Sequence, residues 1–472
     1  MHRIRKHQFF GVTKNNTLLL ILFILFNSCA KAQVSEKVAD LSGKWQLEMK
    51  HEDLGLTRIY MEFEANKDAA FKAYTRKGAV NDILGTGKAL LARTFTNSFK
   101  GGSLLNIEEG VYSAERDTIT FSGLLTSAIG NYRIEGIVKD GLLSATLSKN
   151  NQIKGSLQGV KTISNSPIQD YRALFDESTK LTQDKIFNKN VLLTEEWKSF
   201  EDKMEKISVK LEDDLEFIFA FYYYSGKLPI SHYMLMRPLK EMNSEIAAAD
   251  KQRVFLQEKS AETACLKVTS FEGSAVEMDS VFTVVVNKGY KNLIVDLRGN
   301  PGGSVEAGMS FATHVADTTF YGGVFLTQKY FNNHPSLPSV EQYKDFLHFT
   351  ASNYNLLMDG IHNTEGLCLK VIPEAPRYKG KLFILTNGAT ASTCEPIVYG
   401  LKQRKRAVIV GTTTAGAMLA AEMFDLSQGF RLFLPTADYY ASDGFRIDKK
   451  GVQPDIDTGD TDALRYVLDN LL

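Results

Sequence analysis

The stretch Lys381-Leu-Phe-Ile-Leu-Thr-Asn-Gly-Ala-Thr-Ala-Ser-Thr-Cys-Glu-Pro396 decides how the chain is read. Leu382 to Leu385 is wholly apolar, as a strand buried on both faces is. Thr386-Asn387-Gly388-Ala389 interrupts it with turn-forming residues. A helix is predicted to begin near Ala391 or Ser392 and to run to about Gln403. A hydroxyl at such a strand–turn–helix junction is held at a sheet edge with helix N–H groups aimed at it. That setting stabilises an alkoxide or an oxyanion, which makes Ser392 the candidate nucleophile. A serine at a helix start is also a common cap. Ser392 therefore acquires a chemical role only if the chain also supplies a base and an oxyanion site.

The chain has 472 residues, with 55 Lys plus Arg against 55 Asp plus Glu, and 44% are hydrophobic. The length predicts several domains with cores of ordinary composition. No basic excess exists to grip a phosphate backbone, so nucleic-acid binding is excluded as the main function. Residues 1–32 have the form of an export signal. His2-Arg3-Ile4-Arg5-Lys6-His7 is basic, and Leu18 to Phe26 is apolar but far short of the ~20 residues of a membrane span. Two processing sites are open. Phe26-Asn27-Ser28-Cys29 resembles a bacterial lipobox, with Cys29 as the lipid attachment site, and Ala30-Lys31-Ala32 suits ordinary cleavage before Gln33. Either way the expected location is extracytoplasmic, in a bacterial periplasm or on an outer-membrane lipoprotein. Of the 4 cysteines, Cys265, Cys368 and Cys394 follow Cys29, and none lies in a C-x-x-C. A disulfide framework and a zinc site are not expected.

Residues 38–163 read as a β domain. Trp45, Leu47 and Met49 alternate with Lys44, Gln46 and Glu48, and Ile59, Met61 and Phe63 alternate with polar partners. This is the pattern of antiparallel strands with one wet face, closing into a barrel or sandwich. Lys139-Asp140-Gly141 marks a hairpin. The opening Leu41-Ser42-Gly43-Lys44-Trp45 resembles the start of a lipocalin-like barrel, which implies either an enclosed apolar ligand or a filled accessory core. Residues 167–245 read as a helical segment. Thr194 is a predicted cap, and Trp197, Phe200, Met204, Ile207 and Leu211 recur at helical spacing. Ser225-Gly226 ends that run, and Ser231-His232 follows. Met242 to Ser260 is polar and predicted to be helical or linking. Residues 260–472 alternate strands and helices as an α/β domain, with Pro335 to Pro376 read as less regular, a lid or a cleft wall.

The second glycine-bearing turn is Asp296-Leu-Arg-Gly-Asn-Pro-Gly-Gly303, at a strand end before a helix capped by Ser304. Glycines there let an acyl oxygen approach backbone N–H groups, as an oxyanion hole needs. Together with Thr386–Glu395, Gly411-Thr-Thr-Thr-Ala-Gly416 and Gly451-Val-Gln-Pro-Asp455, in that order, the series resembles the C-terminal processing peptidase and tricorn-core family of serine peptidases. The resemblance covers about Thr263 to Ile456 and implies a crotonase-like, Clp-protease-like core, so the whole chain is expected to be multidomain α+β. One branch of the family uses a Ser–Lys dyad, but Ala417 stands where that lysine would be, and no lysine is expected nearby. The tricorn-like branch uses Ser, His and an acid. By that resemblance His232 is the general base and acid, Ser231 assists it, and Asp448, three residues before Gly451, orients it. The family's glutamate is replaced there by a shorter aspartate, and Asp438 and Asp443 lie in the same region. Gly302, Gly303 and the N–H of Thr393 are the implied oxyanion hole. Only about 30 residues separate His232 from Cys265, fewer than a PDZ domain takes.

The chemistry agrees with these roles. Serine needs a base, a neutral imidazole can take and return its proton, and a carboxylate fixes the tautomer. His51, His314, His334, His348 and His362 lie outside matching motifs and read as surface or packing residues. Cys394 is a rival nucleophile that helix geometry turns away. The expectation is an exported serine endopeptidase acting through an acyl-enzyme on Ser392, with a peptide or protein substrate. It requires no cofactor and no metal, and it meets a membrane only through a lipid anchor. The rivals are an inactive peptide-binding relative, an envelope lipid or small-molecule carrier acting through the β domain, and an acyl-CoA enzyme of crotonase type.

Overall fold

Inward-facing Trp45, Leu47 and Met49 set the phase of the first strand, and Ile59, Met61 and Phe63 match it on the second. The computed structural model describes residues 40–52, 54–95, 97–238, 252–459 and 461–472. The export signal and Cys29 lie outside the described residues. Strands β1 (Gly43–His51), β2 (Gly55–Ala65), β3 (Ala70–Tyr74), β4 (Leu105–Glu115), β5 (Thr118–Ser127), β6 (Gly130–Lys139), β7 (Leu142–Lys149) and β8 (Gln152–Lys161) form a closed antiparallel barrel. β1 pairs with both β2 and β8, which abolishes the sheet edge. The predicted turn at Asp140-Gly141 takes left-handed angles at both residues, φ 52° and 78°, as a two-residue hairpin requires. The interior is filled by side chains: Trp45, Phe63, Phe71 and Phe121 meet at ring separations of 5.7–6.4 Å. Helices α1 (Ala79–Leu84) and α2 (Thr86–Phe95) interrupt the barrel between β3 and β4.

The helical segment comprises α3 (Tyr171–Lys185), α4 (Glu195–Ser208) and α5 (Asp214–Ser225). Thr194 caps α4 by accepting from the N–H of Trp197. Trp197, Phe200, Met204 and Ile207 are buried at helical spacing, and Tyr233 stacks into this aromatic core 5.5 Å from Trp197. A buried charge cluster joins the helices to the barrel. Asp214 is fully buried and accepts from Arg58 of β2, from Tyr171 and Gln169, and from Arg237. Glu216, also buried, pairs with Arg76. Arg237 follows the short strand β9 (Met234–Met236), and its carbonyl accepts the N–H of Leu56 in the barrel.

The C-terminal domain carries two sheets. In the first, β10 (Val254–Ser260) runs antiparallel to β11 (Thr263–Val268). Next, β12 (Asn292–Asp296), β16 (Lys381–Thr386), β17 (Val408–Gly411) and β20 (Ile456–Asp457) add in parallel. The second sheet orders β14 (Leu347–Phe349), β15 (Gly366–Val371), β13 (Phe320–Thr327), β19 (Arg431–Ala441) and β18 (Leu419–Asp425), and β9 pairs with β19. Helices α6 (Ala275–Lys288), α7 (Val305–Val315) and α10 (Cys394–Gln403) cross between strands; the shorter α8 (Gln328–Asn333) and α9 (Leu357–Asn363) and the terminal α11 (Ala463–Asn470) complete it.

Three expectations are corrected here. Residues 254–260 form a strand rather than a helix or linker, because the N–H and C=O groups of β10 pair along β11; residues 239–251 lie outside the described residues. The span Pro335–Pro376 is not merely a lid. Leu367, Leu369 and Val371 alternate and are buried, so β15 pairs with β13 inside the second sheet. The helix after Ser392 starts at Cys394, not at Ala391 or Ser392, because Ser392 itself adopts φ 54°.

Candidate active site

Parallel strands β12 and β16 are neighbours, so the turns that leave their carboxyl ends lie side by side. Asn300, fully buried, stitches them together. Its Nδ2 donates to Val268 O, its Oδ1 accepts from Gly302 N at 2.9 Å, and its carbonyl accepts from Ala391 N. Thr390 Oγ1 donates to Leu297 O, and Gly299 N donates to Asn387 Oδ1. Gly302, at φ 99°, touches the candidate nucleophile: a Cβ there would lie 2.6 Å from Ser392 Cβ.

Ser392 is not a helix cap. Ser392-Thr-Cys-Glu395 has the spacing of a capping box, but only half the box forms. Glu395 Oε2 accepts the Ser392 N–H at 3.2 Å, while Glu395 N donates to the Ser392 carbonyl, not to its hydroxyl. The Ser392 N–H is shared with Ala417 O at 3.1 Å. Among the described residues no group hydrogen-bonds to Ser392 Oγ, so the hydroxyl is left for chemistry. Glu395 is fully buried and also accepts from Thr414 Oγ1, Gly416 N and Ala417 N. Burial pushes its carboxyl above the usual range, and these hydrogen bonds oppose the shift. Ala417 thus contributes backbone contacts to the nucleophile turn instead of an amine.

The oxyanion assignment sharpens. The Gly302 N–H is spent on Asn300, which removes it from the expected donor set. Among the described residues, the N–H groups of Gly303 and Thr393 donate to nothing, and Thr393 Oγ1 donates to Gly303 O at 2.8 Å, which ties the two together. Gly302 instead provides the close approach between the turns.

His232 stands just before β9, and the pairing of β9 with Arg431–Phe433 of β19 carries it to the site. Its backbone is left-handed, φ 57°, and its ring lies 5.4 Å from that of Phe433. Nδ1 shares a 2.7 Å hydrogen bond with Ser231 Oγ. Asp448 is buried, and its carboxylate accepts from Ser231 N at 3.2 Å, Met418 N at 3.1 Å and Arg446 Nη2 at 3.3 Å. A continuous path therefore joins Ser392 N–H to Ala417, the next residue Met418 to Asp448, and Asp448 to Ser231-His232. The expected direct orientation of His232 by Asp448 is corrected. Nδ1 is occupied by Ser231 Oγ, so the carboxylate reaches the imidazole by charge and through Ser231. The structure gives no hydrogen bond between Ser392 Oγ and His232.

Burial lowers the pKa of His232 below the ordinary histidine value, with Asp448 opposing and Lys449 reinforcing the shift. The imidazole is therefore neutral at pH 7. Lys449 corrects the expectation that no lysine stands near the site: at φ 63° its N–H donates to Gly416 O, and its ammonium acts on His232. The alternative acids are engaged elsewhere. Asp443 accepts from Tyr399 Oη, and Asp438 pairs with Arg446 and is pushed up to about 6 by burial. Cys394 is fully buried, its thiol donates to Asn300 O, and burial raises its pKa, so it is no nucleophile. His314 packs internally between Asp279 and Pro376 O.

Glu395, Asn300 and Arg446 were not singled out from sequence. The capping-box spacing could have marked Glu395. Asn300 and Arg446 take their meaning from partners far away in the chain.

Residues 262–458 match Peptidase family S41. Carboxyl-terminal-processing peptidase 3 of Arabidopsis thaliana chloroplasts is 26% identical over 207 residues, 43% of this chain and 33% of the relative. Carboxy-terminal processing protease CtpA of Bacillus subtilis is 24% identical over 192 residues, 40% of this chain and 34% of the relative. A solved lipoprotein structure from Streptococcus agalactiae has a TM-score of 0.44 at 16% identity, covering 65% of this chain and 97% of that one. The match to Peptidase family S41 is confined to the C-terminal domain, and the chain spans about a third of the length of these two curated relatives.

Proposed function

We propose that the protein is an exported serine endopeptidase. Ser392 Oγ attacks a peptide carbonyl while its proton passes to the ring nitrogen of His232 that Ser231 leaves free. The N–H groups of Gly303 and Thr393 take the oxyanion. The C–N bond then breaks, His232 returns the proton to the leaving amine, and water, deprotonated by His232, hydrolyses the ester. Asp448 favours the imidazolium that forms in between. The observation that carries this reading is the half-formed cap: Ser392 spends its N–H and C=O on the turn and keeps its hydroxyl unbonded. The match of residues 262–458 to Peptidase family S41 and the basic-then-apolar leader of residues 1–32 support peptidase activity and export respectively. Among the described residues no helix is long and apolar enough to cross a membrane, and an anchor at Cys29 is part of the proposal.

The unbridged Ser392 and His232 favour a second reading, an inactive peptide-binding relative, although catalytic hydrogen bonds often close only around substrate. A fluorophosphonate probe decides between them. Labelling of the wild type and none of Ser392→Ala or His232→Ala supports the peptidase; an unlabelled wild type that still binds peptides supports the relative.

A further inference from the structure

Aliphatic side chains lie bare at one corner of the barrel. Leu142 opens β7 and pairs across the ladder with Val160 of β8. Ile137 of β6 pairs with Ser144 and so lies on the diagonal from Leu142, on the same face. Ile137 and Leu142 are each 39% exposed, Val160 is 52% exposed, and Ile163, just past the end of β8, is 99% exposed. Single exposed aliphatics are ordinary on any surface, but a contiguous group marks a contact. The barrel interior is filled by its own side chains, and the helices bond to Arg58 and Tyr60 of β2, on the other side of the closed barrel from β6. The chain enters the barrel at this same corner. Asp40 accepts from Lys161 Nζ at 2.9 Å, and Lys161 adjoins Val160. Residues 30–39 separate Asp40 from Cys29, a reach of at most about 40 Å. The rim is charge-balanced, with Lys161 spent on Asp40 and Lys139 next to Asp140, so the corner offers apolar surface rather than a net charge.

We propose that this corner is a membrane-docking surface, on which Ile137, Leu142, Val160 and Ile163 rest in the interface of the bilayer that holds the lipid of Cys29. This rests on the lipid-anchor reading of Cys29. A side chain with about two-fifths of its surface left to bury shifts a partition equilibrium by only about threefold, so the patch alone cannot hold the protein on a bilayer. A short tether makes the docking step intramolecular, and a contact too weak to act from solution is then occupied. The lipid supplies attachment, and the patch supplies orientation: the barrel meets the bilayer with this corner rather than tumbling on its leash.

Cys265, Cys368 and Cys394 are buried, so a cysteine introduced on the surface can be labelled selectively. The full chain, extracted with its lipid and reconstituted in vesicles of phosphatidylethanolamine and phosphatidylglycerol, carries nitrobenzoxadiazole at Leu142→Cys or, as the control, at Lys203→Cys on α4. Nitroxide lipids should quench the probe at position 142 at least about twofold more than the probe at 203. Adding Ile137→Ser and Val160→Ser, both on exposed positions, should lower the docking equilibrium about tenfold, two losses of about threefold each, and bring the 142 probe towards the control. Equal quenching at the two positions in the lipidated protein, or quenching at 142 that ignores the two serines, overturns the docking surface alone. A mature chain whose mass shows no lipid on Cys29 overturns the anchor reading and the surface with it. A Cys29→Ala chain that is dimeric in solution, with its 142 probe shielded before any vesicle is added, makes the corner an interface between copies and overturns the membrane assignment.

Discussion

Replacing Gly302 by alanine should slow catalysis by about as much free energy as it costs the fold. The residue adopts φ 99°, a conformation that costs an L-residue about 1–3 kcal/mol. The added Cβ would stand 2.6 Å from Ser392 Cβ, and 3.0 Å from Ala391 O and Thr393 N. Ordinary contact begins at 3.4 Å, so the nucleophile turn must retreat by about 0.8 Å. That turn cannot move alone, because Ala391 N is bonded to Asn300 and Ser392 N to Ala417 and Glu395. A displacement approaching 1 Å in a reacting group costs about a hundredfold in rate. The assay is the second-order rate of fluorophosphonate labelling alongside thermal unfolding. The expected result is about a hundredfold slower labelling with a modest fall in Tm. Gly388→Ala, whose Cβ meets nothing within 4 Å, is the control and should behave as wild type. Labelling of Gly302→Ala within a factor of two of wild type would refute the close-approach argument.

Lys449→Met removes a positive charge that holds the His232 pKa down. The imidazolium becomes easier to form, the pKa rises, and the acid limb of the labelling rate should move to higher pH; a move to lower pH contradicts the assignment. Glu395→Gln leaves one acceptor oxygen for four donors; Ser392 N keeps Ala417 O and the Thr414 hydroxyl can accept from the amide, so one backbone N–H, of Gly416 or Ala417, loses its partner at about 1–3 kcal/mol. The urea midpoint should fall at unchanged slope, and an unshifted midpoint speaks against a structural role for this carboxylate. Asp214→Ala strands Arg58 and Arg237 and should destabilise by about 3 kcal/mol, the low end of the range for broken buried pairs because Arg58 keeps 22% of its side-chain surface exposed. Equilibrium unfolding measures it, and a loss below ~1 kcal/mol would show the cluster to be dispensable.

What the sequence made legible was local. Alternation gave the barrel strands, because Trp45, Leu47 and Met49 report a half-buried face within a few residues. Turn composition gave both turns, and of the residues their order singled out, the fold joins Ser231 to His232 and to Asp448. The second sheet was only partly hidden: β18 and β19 are adjacent in the chain and pair as a hairpin, whereas β13 and β15 come from separated segments whose pairing no short window shows. The donor status of Gly302 was hidden for a related reason: a glycine-rich turn exposes several N–H groups, and only the buried Asn300 decides which one is taken. The wiring of Asp448 was equally invisible, because the positive φ of His232 folds its ring back onto Ser231 Oγ.

His232 lies upstream of the family-matched stretch, on a ribbon held between β19 on one side and Leu56 of the barrel on the other. The proposed nucleophile and its proposed base are therefore split across the polypeptide. An excised fragment beginning at residue 262 would keep its alcohol and lose its proton acceptor. On the proposed mechanism, displacement of the barrel would pull on the imidazole through Arg237, and the N-terminal body would brace the cleft without touching substrate.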